Sequence, residues 1–397
     1  MKVRDHLHLT YCSNIHAGET WRDVSTALTA ALPVIRHQLK ADGPFGIGLR
    51  LSAKAAAELE QPDALAAFLR FLRDGDYYVP TINGFPYGAF HGQRVKEQVY
   101  LPDWRDPARL AYTNRLSSLL CAMLAGQELR EGSVSTVPGA FKGHLHSLND
   151  ARDIAASVLD HAAHLVRLRE DTGITIALAI EPEPACFIET IAETVDFFTR
   201  YLFDATLIRS RARERGYSLS LEDVRQHIGV CFDACHMAVE FEDAAAAVSS
   251  LSSAGIRIPK FQISSALRVM NPTAGSAGRA ALERFAEDTY LHQVVERAGD
   301  RLVRYVDLPE ALASRDVTGD EWRIHFHVPI FLAAMGDLET TQPYLESVID
   351  LAKHNPGPTC LEVETYTWSV LPPQYRSADM HFAIARELAW TRARLDA

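Results

Sequence analysis

Short apolar runs and longer amphipathic stretches alternate along this chain from end to end. The apolar runs fall near 8–12, 45–51, 77–83, 133–137, 174–181, 228–233, 260–264 and 359–364. A continuous apolar run bounded by turn residues is how a strand reads when both of its faces are covered in a parallel sheet. Stretches with helical spacing lie between them at 21–40, 54–72, 107–125, 150–170, 192–215 and 243–253, and one at 377–395 closes the chain. Several have Asp, Ser or Thr nearby as caps. Repeated βα units predict a parallel sheet, and eight strands are the number that closes a (β/α)8 TIM barrel. An open doubly wound sheet is the other arrangement that such a pattern permits. No Gly-x-Gly-x-x-Gly turn follows any run, so its dinucleotide-binding version has no support. The expectation is a single α/β barrel domain over residues 1–397.

The alternation breaks after the seventh run. Residues 265–330 hold a turn at Asn271-Pro272-Thr273-Ala274-Gly275, a helix-like stretch, and two β-like segments at 301–307 and 322–329 that read as a pair. Barrels specialise by elaborating the loops above the C-terminal ends of their strands, so this insert is expected to form a wall or lid of a site. His325 and His327 would share one face of an extended segment. They are either a hydrogen-bonded structural pair or part of that site.

Three of the apolar runs end in ionisable residues: Ile180-Glu181-Pro182-Glu183, Phe232-Asp233-Ala234-Cys235-His236 and Leu361-Glu362-Val363-Glu364. At the C-terminal ends of parallel strands these acids would gather on one face, where they need a cation to coexist. A divalent ion takes carboxylates, amide or carbonyl oxygens and imidazole while leaving positions open for substrate. The expected ligands are Glu181, Asp233 and Glu364, with Gln262 the inward oxygen donor of the seventh strand. Mn, Zn, Co, Fe and Mg all suit such a set. Glu183 in place of Glu181, Glu362 in place of Glu364, and Gln262 as a barrel amide bonded to backbone are the structural alternatives. Strand periodicity puts Glu362 and Glu364 on one face, with Glu364 nearer the mouth.

Composition narrows the classes. The net charge of −11, with no Lys/Arg-rich stripe, argues against a nucleic-acid partner. The first residues lack a secretory h-region and no stretch of about 18 apolar residues occurs, so a cytoplasmic protein without membrane insertion is expected. Six cysteines with no Cys-x-x-Cys pair read as reduced thiols, and Cys231 and Cys235 as small apolar residues. No heptad seam specifies an oligomer. Around the barrel mouth, Tyr11, Asn14 and His16 follow the first strand, and Asn83, Phe85 and Tyr87 the third. Polar groups beside aromatics suit a small polar metabolite such as a polyol ring. Lys96 can neutralise a substrate phosphate or carboxylate, or be a solvated surface lysine.

A Glu on the fifth strand, Asp-x-x-His on the sixth, a ligand on the seventh and Glu on the eighth resemble the xylose isomerase-like TIM barrels. More narrowly, His8-Leu9-Thr10-Tyr11-Cys12-Ser13-Asn14-Ile15-His16, Asn83-Gly84-Phe85-Pro86-Tyr87-Gly88, Val95-Lys96-Glu97-Gln98-Val99-Tyr100, His325-Phe326-His327-Val328-Pro329 and Leu361-Glu362-Val363-Glu364-Thr365-Tyr366-Thr367-Trp368 resemble the EboE-type metabolite traffic proteins of bacterial ebo clusters. The resemblance implies a divalent-metal-dependent isomerase or epimerase of a sugar, sugar phosphate or cyclitol, associated with secondary-metabolite biosynthesis or traffic. It assigns proton transfer to Glu181 and Glu364, and substrate contact to His236. The departure is Gln262, where the sugar epimerases carry a histidine; His325 or His327 folding over the site would offset it. A non-catalytic metabolite carrier and a metal-dependent phosphoesterase are the two other functions such a barrel accommodates.

Overall fold

The computed structural model describes residues 1–397 except 5, 93, 148 and 315–318; the last four fall inside the expected insert, and that part of it lies outside the described residues. Eight parallel strands form the central sheet: β1 (Leu7–Tyr11), β2 (Phe45–Arg50), β3 (Tyr77–Asn83), β4 (Glu131–Thr136), β5 (Thr175–Ile180), β6 (Ile228–Asp233), β7 (Arg257–Ile263) and β8 (Thr359–Val363). Their order is β1-β8-β7-β6-β5-β4-β3-β2, with the short strand Lys2–Arg4 antiparallel on the outer side of β1. A parallel bridge between Cys12 and Gly48 brings the ends of β1 and β2 together, so the sheet is a nearly closed barrel. Every residue of β1, β2, β3, β6 and β8 is buried, as continuous apolar runs require. Among the described residues no helix is long and apolar enough to cross a membrane.

Local chemistry decides where the helices begin and break. Thr20 and Asp23 form a reciprocal capping box at the start of Trp21–Leu39, which satisfies donors that the first helical turn leaves free. The expected helix 54–72 is two, Ala53–Leu59 and Pro62–Asp74, because Pro62 lacks the N–H an ongoing helix needs and instead starts a new one. The stretch 192–215 likewise divides, with Asp204 capping Ala205–Arg215.

Between β7 and β8 the chain builds a second, antiparallel sheet of six short strands, ordered Arg301–Tyr305, Val294–Ala298, Glu321–Ile324, Leu267–Met270, Leu338–Thr340 and Ala334–Met335. The expected pairing of 301–307 with 322–329 is incorrect. Both segments pair with Val294–Ala298, which lies between them. That strand joins the ladder because Val294 packs into a core of its own with Leu267, Val269, Trp322, Ile324 and Phe326. His325 and His327 follow the end of Glu321–Ile324, where the segment leaves this sheet and crosses back toward β7: Val328 N–H donates to Ser265 O at 2.9 Å.

Candidate metal-binding active site

The C-terminal ends of the parallel strands bring together carboxylates that are far apart in sequence. Glu181 stands one residue past β5, where Pro182 and Pro184 prevent the ladder from continuing. Asp233 ends β6, and Glu364 stands one residue past β8 with its N–H donating to Ile263 O at 3.2 Å. One carboxylate oxygen from each of the three lies within 4.8 Å of the others. Asp233 divides its work: Oδ1 accepts from the N–H groups of Cys235 (2.7 Å) and His236 (3.0 Å) and from Ser264 Oγ (2.7 Å), capping the helix Ala234–Val239. Its Oδ2 is buried with no hydrogen-bond partner among the described residues. Glu364 Oε1 accepts from Asn14 Nδ2 at 2.6 Å and from Asn83 Nδ2 at 3.0 Å.

Burial and mutual repulsion raise two of these acids. Glu364 is pushed up to about 8 by burial and then by Asp233 and Glu362, against the pull of Lys260 and the Asn14 amide. Glu181 is held well above its ordinary value by burial, then by Glu364 and Asp233. Burial also pushes at Asp233, but His236, His327, the Ser264 hydroxyl and the His236 N–H outweigh it and hold that acid low. Burial and mutual repulsion thus disfavour charge on Glu181 and Glu364 while Asp233 is favoured as the ionised acid, the arrangement expected where a cation belongs.

One layer deeper the barrel neutralises its acid. Lys260 Nζ lies 2.6 Å from Glu362 Oε1 and donates to Ser135 Oγ at 3.0 Å, with both charged side chains fully buried. Lys260 thus takes Glu362 out of the candidate set. Glu362 fits only because β2 has no side chain at Gly48, where a Cβ would stand 1.8 Å from Glu362 Oε2 and 2.6 Å from Tyr11 O. Gln262 is in register with both Asp233 and Glu362, on the same strand face as Lys260. Both polar atoms of its side chain are buried without a partner among the described residues.

Three imidazoles cover the acids from the other side. His236 Nδ1 donates to Pro182 O at 3.0 Å, and His327 Nδ1 to Glu364 O at 2.7 Å. His325 Nδ1 meets Gln293 Oε1 at 2.7 Å, while Gln293 Nε2 donates to Pro184 O and to Tyr100 Oη. Tyr100 in turn donates to Glu183 Oε1 at 2.6 Å. Nε2 of His236 lies 3.2 Å from Nε2 of His325 and 3.7 Å from Asp233 Oδ2; Nε2 of His327 lies 3.9 Å from the same oxygen. Burial holds the His325 imidazole well below its usual value and that of His327 at about 4.

The cavity above these groups is lined by Asn14, Asn83, Glu181, Glu183, His236, His325, His327 and Glu364, and roofed by Phe90, Tyr290 and Tyr366, whose rings pack on one another. Its volume is about 50 Å³, room for a few waters and too small for a sugar.

Two expected substrate-binding residues are placed elsewhere. Lys96 is no free cation: its Nζ donates to Asp307 Oδ2 (2.7 Å), Tyr290 O (2.6 Å) and Glu287 O (3.0 Å), and so ties the loop after β3 to the insert. His16 turns away from the cavity, with Nε2 3.2 Å from the Tyr11 hydroxyl and its ring against His381. Cys235, expected to be only a small apolar residue, groups with His325 and His327 within ligand distance. All six cysteines are buried and free. Tyr100, Gln293 and Tyr290 were not singled out by sequence, because a tyrosine or glutamine that orients another side chain looks like any core polar residue until its partner is known.

No protein-family model and no curated protein sequence matches the chain. Solved structures resemble it at low identity: the IolI protein with a bound zinc atom (12% identity over 98% of each chain, TM-score 0.45), D-psicose 3-epimerase in the presence of D-fructose (13%, over 98% of this chain and 99% of that one, TM-score 0.47), and a xylose isomerase-like TIM barrel protein from Mycobacterium smegmatis in complex with magnesium (12%, 93% and 89%, TM-score 0.48).

Proposed function

We propose that the protein is a divalent-metal-dependent isomerase or epimerase of a sugar, sugar phosphate or cyclitol, a xylose isomerase-like barrel of the EboE type. The observation that carries the reading is the group Glu181, Asp233 and Glu364, three carboxylates within 4.8 Å of one another, with the nearest buried ammonium already committed to Glu362. The residues fit a cation: Asp233 Oδ2 is a buried oxygen without a donor among the described residues, and carboxylate oxygens are the donors hard and borderline ions prefer. A bound divalent ion would polarise the carbonyl and hydroxyl oxygens of a substrate.

The chain's own residues supply the rest. Glu181 and Glu364 hold protons more tightly than ordinary carboxylates while no cation is present; with a cation bound they would be ionised and placed to take a proton from carbon and return it. Asn14 and Asn83 fix the Glu364 carboxylate by binding one oxygen and leave Oε2 for proton transfer. His236, His325 and His327 face the substrate space, and the aromatic roof excludes water once closed.

Solvent-deuterium exchange at carbon tests the reading. Metal-loaded protein, incubated in D2O with a panel of ketoses, their phosphates and cyclitols, is expected to label at least one of them, with labelling lost in Glu181→Gln and in Glu364→Gln. Labelling that survives in both variants would overturn the assignment.

A further inference from the structure

The imidazole side of the cavity poses a problem in hydrogen-bond accounting. Pro182 O and Glu364 O can only accept, so the Nδ1 atoms of His236 and His327 carry their protons there. Gln293 has its orientation set by Pro184 O, which also only accepts; its Nε2 points there, its Oε1 faces His325, and His325 Nδ1 is therefore a donor as well. In the neutral rings all three Nε2 atoms are then lone pairs. Those of His236 and His325 face each other at 3.2 Å with no hydrogen between them. That of His327 is buried without a partner among the described residues, and so is Asp233 Oδ2 beside it.

Lone pairs converge in this way around a cation. Each Nδ1–H held by an oxygen of the surrounding protein is the arrangement that fixes the tautomer of a metal-ligating histidine. The spacing agrees: with zinc–nitrogen bonds of about 2.0–2.1 Å, two ligands of a tetrahedral ion stand ~3.3 Å apart, close to the separation of the two facing nitrogens. Asp233 with His236 and His327, and Glu183 with His236 and His325, each have ligand atoms within 4.8 Å of one another.

We infer that the cavity holds a second metal site, for a borderline transition-metal ion of the zinc class, made by the Nε2 atoms of His236, His325 and His327 and the free oxygen of Asp233. It rests on the proposed function only through Asp233, which the two sites share. His236 and His325 then meet substrate through this ion and not directly. Two cations side by side recognise a substrate that presents two adjacent oxygens. The insert contributes His325 and His327, so this site exists only while the insert is docked on the barrel.

Zinc titration of chelator-treated full-length protein tests this, read by calorimetry and repeated with Co(II) to observe the visible absorption of a nitrogen-rich site. Wild type is expected to take two equivalents. His325→Gln should take one and lose the nitrogen-rich Co(II) band; Glu364→Gln should keep that band. Gln293→Leu, which removes the acceptor orienting His325 together with the donor to Pro184 O and Tyr100 Oη but no metal ligand, should weaken the second equivalent by about 10-fold or more, and circular dichroism checks that each variant is folded. A single equivalent retained in His325→Gln and lost in Glu364→Gln overturns the second site and leaves the carboxylate site standing. A wild type whose Co(II) spectrum is unchanged in both His325→Gln and Gln293→Leu also overturns it. Loss of the band in His325→Gln, with full stoichiometry kept in Glu364→Gln, supports the histidine site and overturns the carboxylate one.

Discussion

Glu362 on β8 and Glu364 just past its end lie two residues apart and meet opposite surroundings. Glu362 lies against Lys260 in a layer closed on all sides. Glu364 lies against Glu181 and Asp233, with two asparagine amides and no lysine or arginine among its described partners. A buried acid left without a cationic partner costs several kcal/mol, so a barrel that pairs one layer with a lysine and crowds three carboxylates in the next has placed its instability at the mouth. The difference separates a carboxylate that holds the barrel together from those available for chemistry.

That contrast can be broken by substitution. The largest effect is expected from Lys260→Met, which strands Glu362 in the interior: urea denaturation should show a loss of about 3–5 kcal/mol, and a loss under about 1 kcal/mol would mean the two layers are not distinct. Gly48→Ala should cost about 3 kcal/mol, since the new methyl group meets Glu362 and the Tyr11 carbonyl, and it should do so without changing metal affinity at the mouth. Glu364→Gln should act in the opposite sense, stabilising the metal-free protein by about 2 kcal/mol at pH 8.

The pH dependence of the metal-free protein sharpens the same point. Glu364 is pushed to about 8 when folded and titrates near 4.3 when unfolded. Between those values the native state keeps a proton that the unfolded chain releases, so stability falls as pH rises through this window. Melting temperatures measured from pH 5 to 8.5 should decline, and the decline should flatten in Glu364→Gln. A metal competes with that proton, so metal affinity should climb over the same range. The smallest effect belongs to Lys96→Met, which unties the loop after β3 from the insert; it should cost about 1 kcal/mol and speed ligand entry under the aromatic roof, as stopped-flow metal binding would record.

The sequence carried the barrel because a strand buried on both faces has to be apolar along its whole length, and the eight runs coincide with eight parallel strands. It carried the strand-end acids for the same reason: a carboxylate at the end of such a run has nowhere else to go. The insert was harder. Val294–Ala298 pairs with Arg301–Tyr305 through the two-residue turn Gly299-Asp300, which is a local hairpin signal, but its pairing with Glu321–Ile324 on the other side is joined across a long connection that nothing local announces. Lys96 was misread because its acceptors, Asp307 and the Glu287 and Tyr290 carbonyls, lie about two hundred residues away. His16 shows the reverse failure, a polar residue in the right loop whose nearest partner, Tyr11, turned it elsewhere. Gln293 could not be found from sequence at all, since its part is to orient His325.

Asp233 is the residue common to the carboxylate and imidazole halves of the cavity, and it tests the account most directly. Full-length protein reconstituted with Mn or Zn, freed of excess ion and submitted to elemental analysis should carry bound metal, and Asp233→Ala, shown to be folded by circular dichroism, should carry none. Wild-type protein that takes up no divalent ion, or an Asp233→Ala variant that holds as much as the wild type, would contradict the account.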